Sequence, residues 1–142
     1  MAGYSGTPLV NKLGIKADFK VAFVNAPENF AKQLELPAGV NIKSALKSKD
    51  LDLIIAFVTS QKTLTSAFAQ YSGRIKPAGM FWVSWPKKAS GVQTDLNENI
   101  VRDIGLATGL VDVKVCAVDE VWSGLKFVFR LKDRPKLKPS RT

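Results

Sequence analysis

The sequence predicts an α/β fold in three layers, with a mostly parallel sheet of about six strands and one antiparallel strand from a C-terminal hairpin. Three observations predict it. Short apolar runs alternate with amphipathic stretches along most of the chain. Two runs, LDLIIAFV at 51–58 and MFWVSW at 80–85, are almost continuously apolar, as strands covered on both faces must be. The last two strand-like runs have no helical stretch between them, so they pair antiparallel.

Each element has its own signal. TPLVNKLG at 7–14 reads as a short helix, capped by Thr7, with Pro8 at its first position and Gly14 at its end. FKVAFV at 19–24 reads as a strand. NAPENFAKQL follows as a helix with Pro27 in its first turn and Phe30 and Leu34 on one face. VNIKSAL at 40–46 alternates like an exposed edge strand. A helix over about 61–73 carries Leu64, Ala67, Phe68 and Tyr71 at helical spacing. RIKPAG turns the chain into MFWVSW. Asp95 and Glu98 stand at capping-box spacing before a helix with a Leu96, Ile100, Ile104, Ala107 stripe, ended by Gly109. VDVKVCAV at 111–118 and LKFVFRL at 125–131 complete the sheet. The product is a Rossmann-like domain over residues 1–131, with residues 1–14 as an arm and short helix. Residues 132–142 form a basic tail expected to be disordered.

Composition removes several function classes. The 142 residues suit one domain, and 46% hydrophobic content supports a substantial core. No histidine is present, which excludes Ser-His-Asp and Cys-His catalysis and histidine-zinc sites. No acids cluster at ligand spacing, so no metal is predicted. The lone cysteine, Cys116, lies in a strand-like run and reads as a buried, inert thiol. MAGYSGTPL lacks the pattern of a secretion signal and no apolar run approaches membrane-spanning length. The expectation is a cytoplasmic protein with no membrane partner. Charge is uneven: Arg130 to Thr142 holds six basic residues against one acid, a net +5 of the chain's +9. Such a tail supports weak, non-specific binding of nucleic acid.

Two resemblances follow from particular stretches. RIKPAGMFWVSW is similar to a helix–turn–strand step of class I methyltransferases, and GLVDVKV with VWSGLKFVFR resembles their final hairpin. That resemblance implies a doubly wound, methyltransferase-like sheet and a cofactor, S-adenosylmethionine (SAM), bound at a glycine-rich loop after the first strand. The corresponding segment here, VAFVNAPENF, has no glycine, and the chain is one strand short on that side. No cofactor is therefore predicted, with SAM the disfavoured alternative. From about Ala2 to Lys132 the chain also resembles an uncharacterised bacterial family classed as a domain of unknown function. The stretches carrying that likeness are GYSGTPL, VNAPE, WVSWPKKASG and VDEVWSGLKFV. This second resemblance implies a family and no activity.

Open parallel sheets bind ligands beyond the carboxyl ends of their strands. The loops predicted there are VNAPE, TSQK, SWPKKASG and VDEVWSG. Lys87 and Lys88 suit a phosphate or carboxylate, with Ser90 and Gly91 offering a hydroxyl and an approachable backbone. Asn25 suits a polar group, Asp119 or Glu120 a ribose hydroxyl or amine, and Trp122 a stacked ring. Tyr4 and Ser5 can fold over the same edge. Against this, the lysines can pair with Asp119 and Glu120, and Trp82 and Trp85 read as core. No catalytic set is recognisable. The leading expectation is a non-catalytic module binding a small anionic metabolite or a protein partner. The alternatives are an enzyme of methyltransferase-like fold with a degenerate or non-SAM site, and a nucleic-acid-associated protein acting through its tail.

Overall fold

The computed structural model describes residues 8–28 and 30–136. Six strands form one sheet in the order β2-β1-β3-β4-β6-β5. They are β1 (Lys20–Val24), β2 (Asn41–Ile42), β3 (Leu51–Phe57), β4 (Ile75–Pro86), β5 (Leu110–Ala117) and β6 (Trp122–Phe129). Four helices pack on them: α1 (Leu9–Leu13), α2 (Phe30–Gln33), α3 (Gln61–Tyr71) and α4 (Glu98–Ala107). Pairing is parallel from β2 through β4, and antiparallel on both sides of β6. This is the predicted Rossmann-like α/β sheet with one reversed strand.

The sheet separates two apolar layers. On one face Ile54, Ala56, Phe81, Val83, Leu125 and Phe127 meet α3 and α4. Phe68 of α3 stands edge-on to both Phe81 and Phe127, at centroid distances of 5.0 and 5.2 Å. On the other face Val21, Leu53, Ile55, Phe57 and Trp82 meet α1 and α2. Trp82 is fully buried, and its indole N–H donates to the carbonyl of Leu13 at 2.9 Å. Trp85 is also buried, so both tryptophans belong to the core, as their strand pattern predicted.

Several elements differ from their sequence signals, each for a local reason. Pro8 precedes the first helix, and its carbonyl accepts from the amides of Asn11 and Lys12. Thr7, the predicted cap, lies outside the described residues. The second helix is one turn, Phe30–Gln33, with Pro27 ahead of it, and the predicted 40–46 strand shrinks to Asn41–Ile42. RIKPAG is not a turn before β4 but its bulged entry: Leu51 pairs with Ile75, while Leu53 pairs with Met80. Gly79 permits that bulge, because a Cβ there would stand 2.9 Å from the Leu51 carbonyl oxygen.

The capping box before α4 does not form. Asn97 is the cap, and its side chain accepts from the Ile100 amide at 2.9 Å. The buried face of α4 centres on Val101 and Gly105, with Ile100 and Ile104 at its margins and Ala107 exposed. Arg102 fastens α4 to β5, donating to Asp112 at 2.8 Å and to Glu98 at 2.6 Å. Those two carboxylates, Asp112 foremost, raise the guanidinium's pKa above its ordinary value. The first part of the basic tail is a 3-10 helix, Leu131–Lys136. Residues 137–142 lie outside the described residues.

Gly105 generates a prediction. The Phe127 ring occupies the space where its Cβ would lie. Glycine-to-alanine changes within helices usually stabilise, but Gly105→Ala must displace a buried ring. The expected loss is about 1–3 kcal/mol, read as a lower urea midpoint. An unchanged or higher midpoint would show that the α4–β6 contact is not close-packed.

Candidate functional site

The carboxyl ends of β1, β3, β4 and β5 all open on one edge, where β6 begins. The structure gathers most of the sequence-predicted residues there, and then divides them. Lys87 to Gly91 and Val118 to Trp122 form one neighbourhood, joined where the Lys87 amide donates to the Val121 carbonyl at 2.7 Å. Asn25 stands apart, at the mouth of a crevice between β1, β3 and α3. Tyr4 and Ser5 lie outside the described residues.

Within the first neighbourhood most polar groups serve the loops themselves. The Asp119 carboxylate accepts from the amides of Val121 and Trp122, both at 2.8 Å, and so closes the hairpin turn. Ser90 Oγ donates to the Lys87 carbonyl at 2.7 Å and accepts from the Val92 amide at 3.2 Å. Gly91 has a φ of 77°, the left-handed conformation that ends the short 3-10 turn Lys88–Ser90. Lys87 is half-buried, whereas Lys88 and Glu120 are exposed. Among the described residues neither lysine forms an ion pair. Trp122 is not a loop residue: it begins β6, opposite Pro86. Its ring meets Phe57 edge-on at 5.1 Å and is half-buried.

The crevice at the β1/β3 reversal is where sheets of this type cradle a cofactor. Here it is small, about 70 Å³, lined by Val24, Asn25, Val58, Ser66 and Tyr71 among others. Asn25 enters the following loop with a φ of 55°, held by an asparagine rather than a glycine. On the sheet's other face, Phe30 of α2 lies between Phe23 and Phe57, with ring centroids 5.2 and 5.0 Å away. Beyond β2, where a ribose-binding acid would stand, residues 43–49 read KSALKSK.

A larger basin of about 360 Å³ opens beside the β3–α3 turn. Thr59, Ser60, Gln93, Thr94 and Asp95 line it. Two strips of chain are clamped together there. Thr94 Oγ1 donates to the Thr59 carbonyl at 2.6 Å. The Asp95 carboxylate accepts from the Gln61 amide at 2.9 Å, at the amino end of α3. The Gln61 side chain donates back to the Asp95 carbonyl at 3.3 Å. Ser60 is the N-cap of α3, accepting from the Thr63 amide at 3.1 Å, and Asp95 adds a second acceptor at that helix, not at α4, where its negative charge suits the positive end. Sequence reasoning missed this basin. TSQK marked one wall, but Asp95 was assigned to the wrong helix, because spacing cannot report a partner 34 residues away.

Beneath the edge, Ser84 is the one fully buried polar residue among the described residues. Its hydroxyl has no hydrogen-bond partner there. An orphaned hydroxyl of this kind costs about 1–3 kcal/mol. Among the described residues no group of three or more acids and cysteines could hold a metal ion. No helix there is long and apolar enough to cross a membrane.

Solved structures share this architecture. A precorrin-6y C5,15-methyltransferase from Geobacter metallireducens superposes with a TM-score of 0.57 at 9% identity, over 86% of this chain and 86% of that one. Aeropyrum pernix fibrillarin, in complex with natively bound SAM, gives 0.53 at 10% identity, over 82% and 69%. A possible exported protein from Bordetella parapertussis gives 0.60 at 10% identity, over 84% of this chain and 64% of that one. The fold is therefore methyltransferase-like. No family model matches the chain, and no curated protein matches it.

The α3 clamp yields a prediction. Asp95→Ala should cost about 0.5–2 kcal/mol, as loss of a capping acceptor does, and should raise amide exchange at Gln61. If exchange rose only in the first turn of α4, the assignment of Asp95 to α3 would be wrong.

Proposed function

We propose that the chain is a methyltransferase-like domain that binds a small anionic metabolite in the Thr59–Asp95 basin, and not SAM in the β1/β3 crevice. The observation that carries this reading is the contrast in space between the two. Ligand pockets commonly enclose about 300–1,000 Å³. The basin, at about 360 Å³, falls in that range and the crevice, at about 70 Å³, does not.

The chemistry of the crevice supports the same reading. A SAM-sized cofactor needs close backbone approach after β1, which glycine permits and Asn25-Ala26-Pro27 does not. It also gains from an acid beyond β2, where this chain has Lys43 and Ser44. The residues present do not fit the cofactor. In the basin, Thr59 offers a hydroxyl and Gln93 an amide, while the Ser60 hydroxyl is engaged with Thr63. Lys87 and Lys88, on the loop leading into it, supply positive charge for a phosphate or carboxylate. Asp95 sets the polarity of one wall and favours a ligand that also carries a donor.

A second reading, SAM-dependent methyl transfer, is favoured by the SAM named in the A. pernix structure. One thermal-shift series separates the two. Under the proposal, SAM leaves the melting temperature unchanged. A phosphorylated or carboxylated metabolite at 100 times its Kd adds about 2.7 kcal/mol of stability. That gain should fall away in Lys87→Ala/Lys88→Ala and in Gln93→Ala. Stabilisation by SAM that survives both variants would place the ligand in the crevice and reject the proposal.

A further inference from the structure

The α1-side surface of β5 and β6 carries an arrangement of like charges. Lys114 of β5 and Lys126 of β6 are directly opposite one another in the antiparallel register. Side chains so placed have Cβ atoms about 4.5–5.5 Å apart, and like charges there are destabilising. Lys12 of α1 borders the pair, since the Lys114 ammonium donates to the Lys12 carbonyl at 3.1 Å. The Lys126 ammonium lies 6.0 Å from the centre of the Trp82 ring, with its stem against the sheet. Among the described residues no carboxylate forms an ion pair with Lys114 or Lys126.

The electrostatics agree with this geometry. Lys126 has its pKa lowered, first by burial and then by the charge of Lys114. Cys116 sits among the three lysines: burial raises its thiol pKa, and Lys12, Lys114 and Lys126 each oppose that rise. The repulsion lies within the β5–β6 ladder, next to its break in register between Asp112 and Lys114, and a single neutral residue on either strand would relieve it.

We infer that this surface, centred on Lys114 and Lys126 and bordered by Lys12, docks the phosphodiester backbone of a nucleic acid. Charge complementarity selects that occupant. Lys114 is exposed on the outermost strand, so a small anion would be held from one side by screened charges. A polyanion instead gains affinity by releasing condensed counterions at each contact. Beyond the end of β6 at Phe129 the chain continues with Arg130, Lys132 and Arg134, so further cations follow in sequence. The surface is distinct from the carboxyl-edge basin and does not depend on what that basin binds.

The test is fluorescence anisotropy on the full chain with a labelled, mixed-sequence, single-stranded RNA of twenty nucleotides, between 50 and 200 mM NaCl. Two lost phosphate contacts should flatten the log K against log salt slope by about 1.4. Wild type should then lose about 7-fold more affinity over that range than Lys114→Gln/Lys126→Gln. Lys114→Arg/Lys126→Arg should keep the wild-type slope. Lys138→Gln/Arg141→Gln, which removes tail charge only, should leave the face's contribution in place. In the absence of RNA, Lys126→Gln should raise the melting temperature at low salt, which also shows that the variant folds. The inference fails if wild type does not bind the RNA at 50 mM NaCl. It also fails if the double glutamine variant keeps the wild-type slope while the tail variant loses binding. Equal lysine-dependent binding of poly-glutamate without RNA binding would assign the face to an acidic protein instead.

Discussion

The pairing of β4 on both sides is the constraint on which the rest of the structure depends. It is the longest strand, with twelve residues. It runs parallel to β3 on one side and antiparallel to β6 on the other. Its alternate residues enter opposite cores: Phe81, Val83 and Trp85 face α3 and α4, while Trp82 faces α1. Trp82 brings an indole N–H into that core, and only the Leu13 carbonyl at the end of α1 satisfies it. One hydrogen bond spanning 69 residues thus fixes where α1 lies. At the other end β4 delivers Lys87 to the hairpin turn, where its amide bonds to Val121.

Much of this was legible in the sequence, because the strongest signals were also the most buried elements. LDLIIAFV and the Leu64, Ala67, Phe68, Tyr71 stripe read directly as β3 and α3, since burial on both faces or on one stripe leaves an unmistakable pattern. What was not legible depended on partners distant in the chain. Asp95 satisfies the local spacing of a capping box, yet the amide it binds belongs to Gln61. Leu96 to Ala107 has a plausible stripe, but the true face turns toward Gly105, whose missing side chain admits Phe127. Trp122 looked like a loop residue because hairpin length was counted from apolar runs. Asp119 closes the turn so early that Trp122 already pairs with Pro86.

The candidate site was legible as an edge and not as a cavity. Parallel strands predict which loops converge, and Lys87, Lys88, Ser90 and Asp119 do converge there. They cannot predict how much space is left. At the crevice that depends on α3, whose Ala67 and Tyr71 line it with Val24 and Val58, while on the opposite face Phe30 enters between Phe23 and Phe57 and continues an aromatic row to Trp122. Such edge-to-face pairs add about 0.5–1.5 kcal/mol each beyond their burial. The row therefore consolidates the sheet on the face opposite the crevice.

The two outermost strands have one more consequence. The β2 border is two residues long, too short to template another strand. The β5 border is eight residues long and exposes Val113 and Val115, which is the profile of a surface that recruits stray chains. Its register breaks between Asp112 and Lys114, and a charged side chain follows the break. A second molecule adding to that border would meet a kinked ladder and the charge of Lys114. The sheet is thereby kept finite, and the protein carries its own guard against stacking edge to edge into fibres.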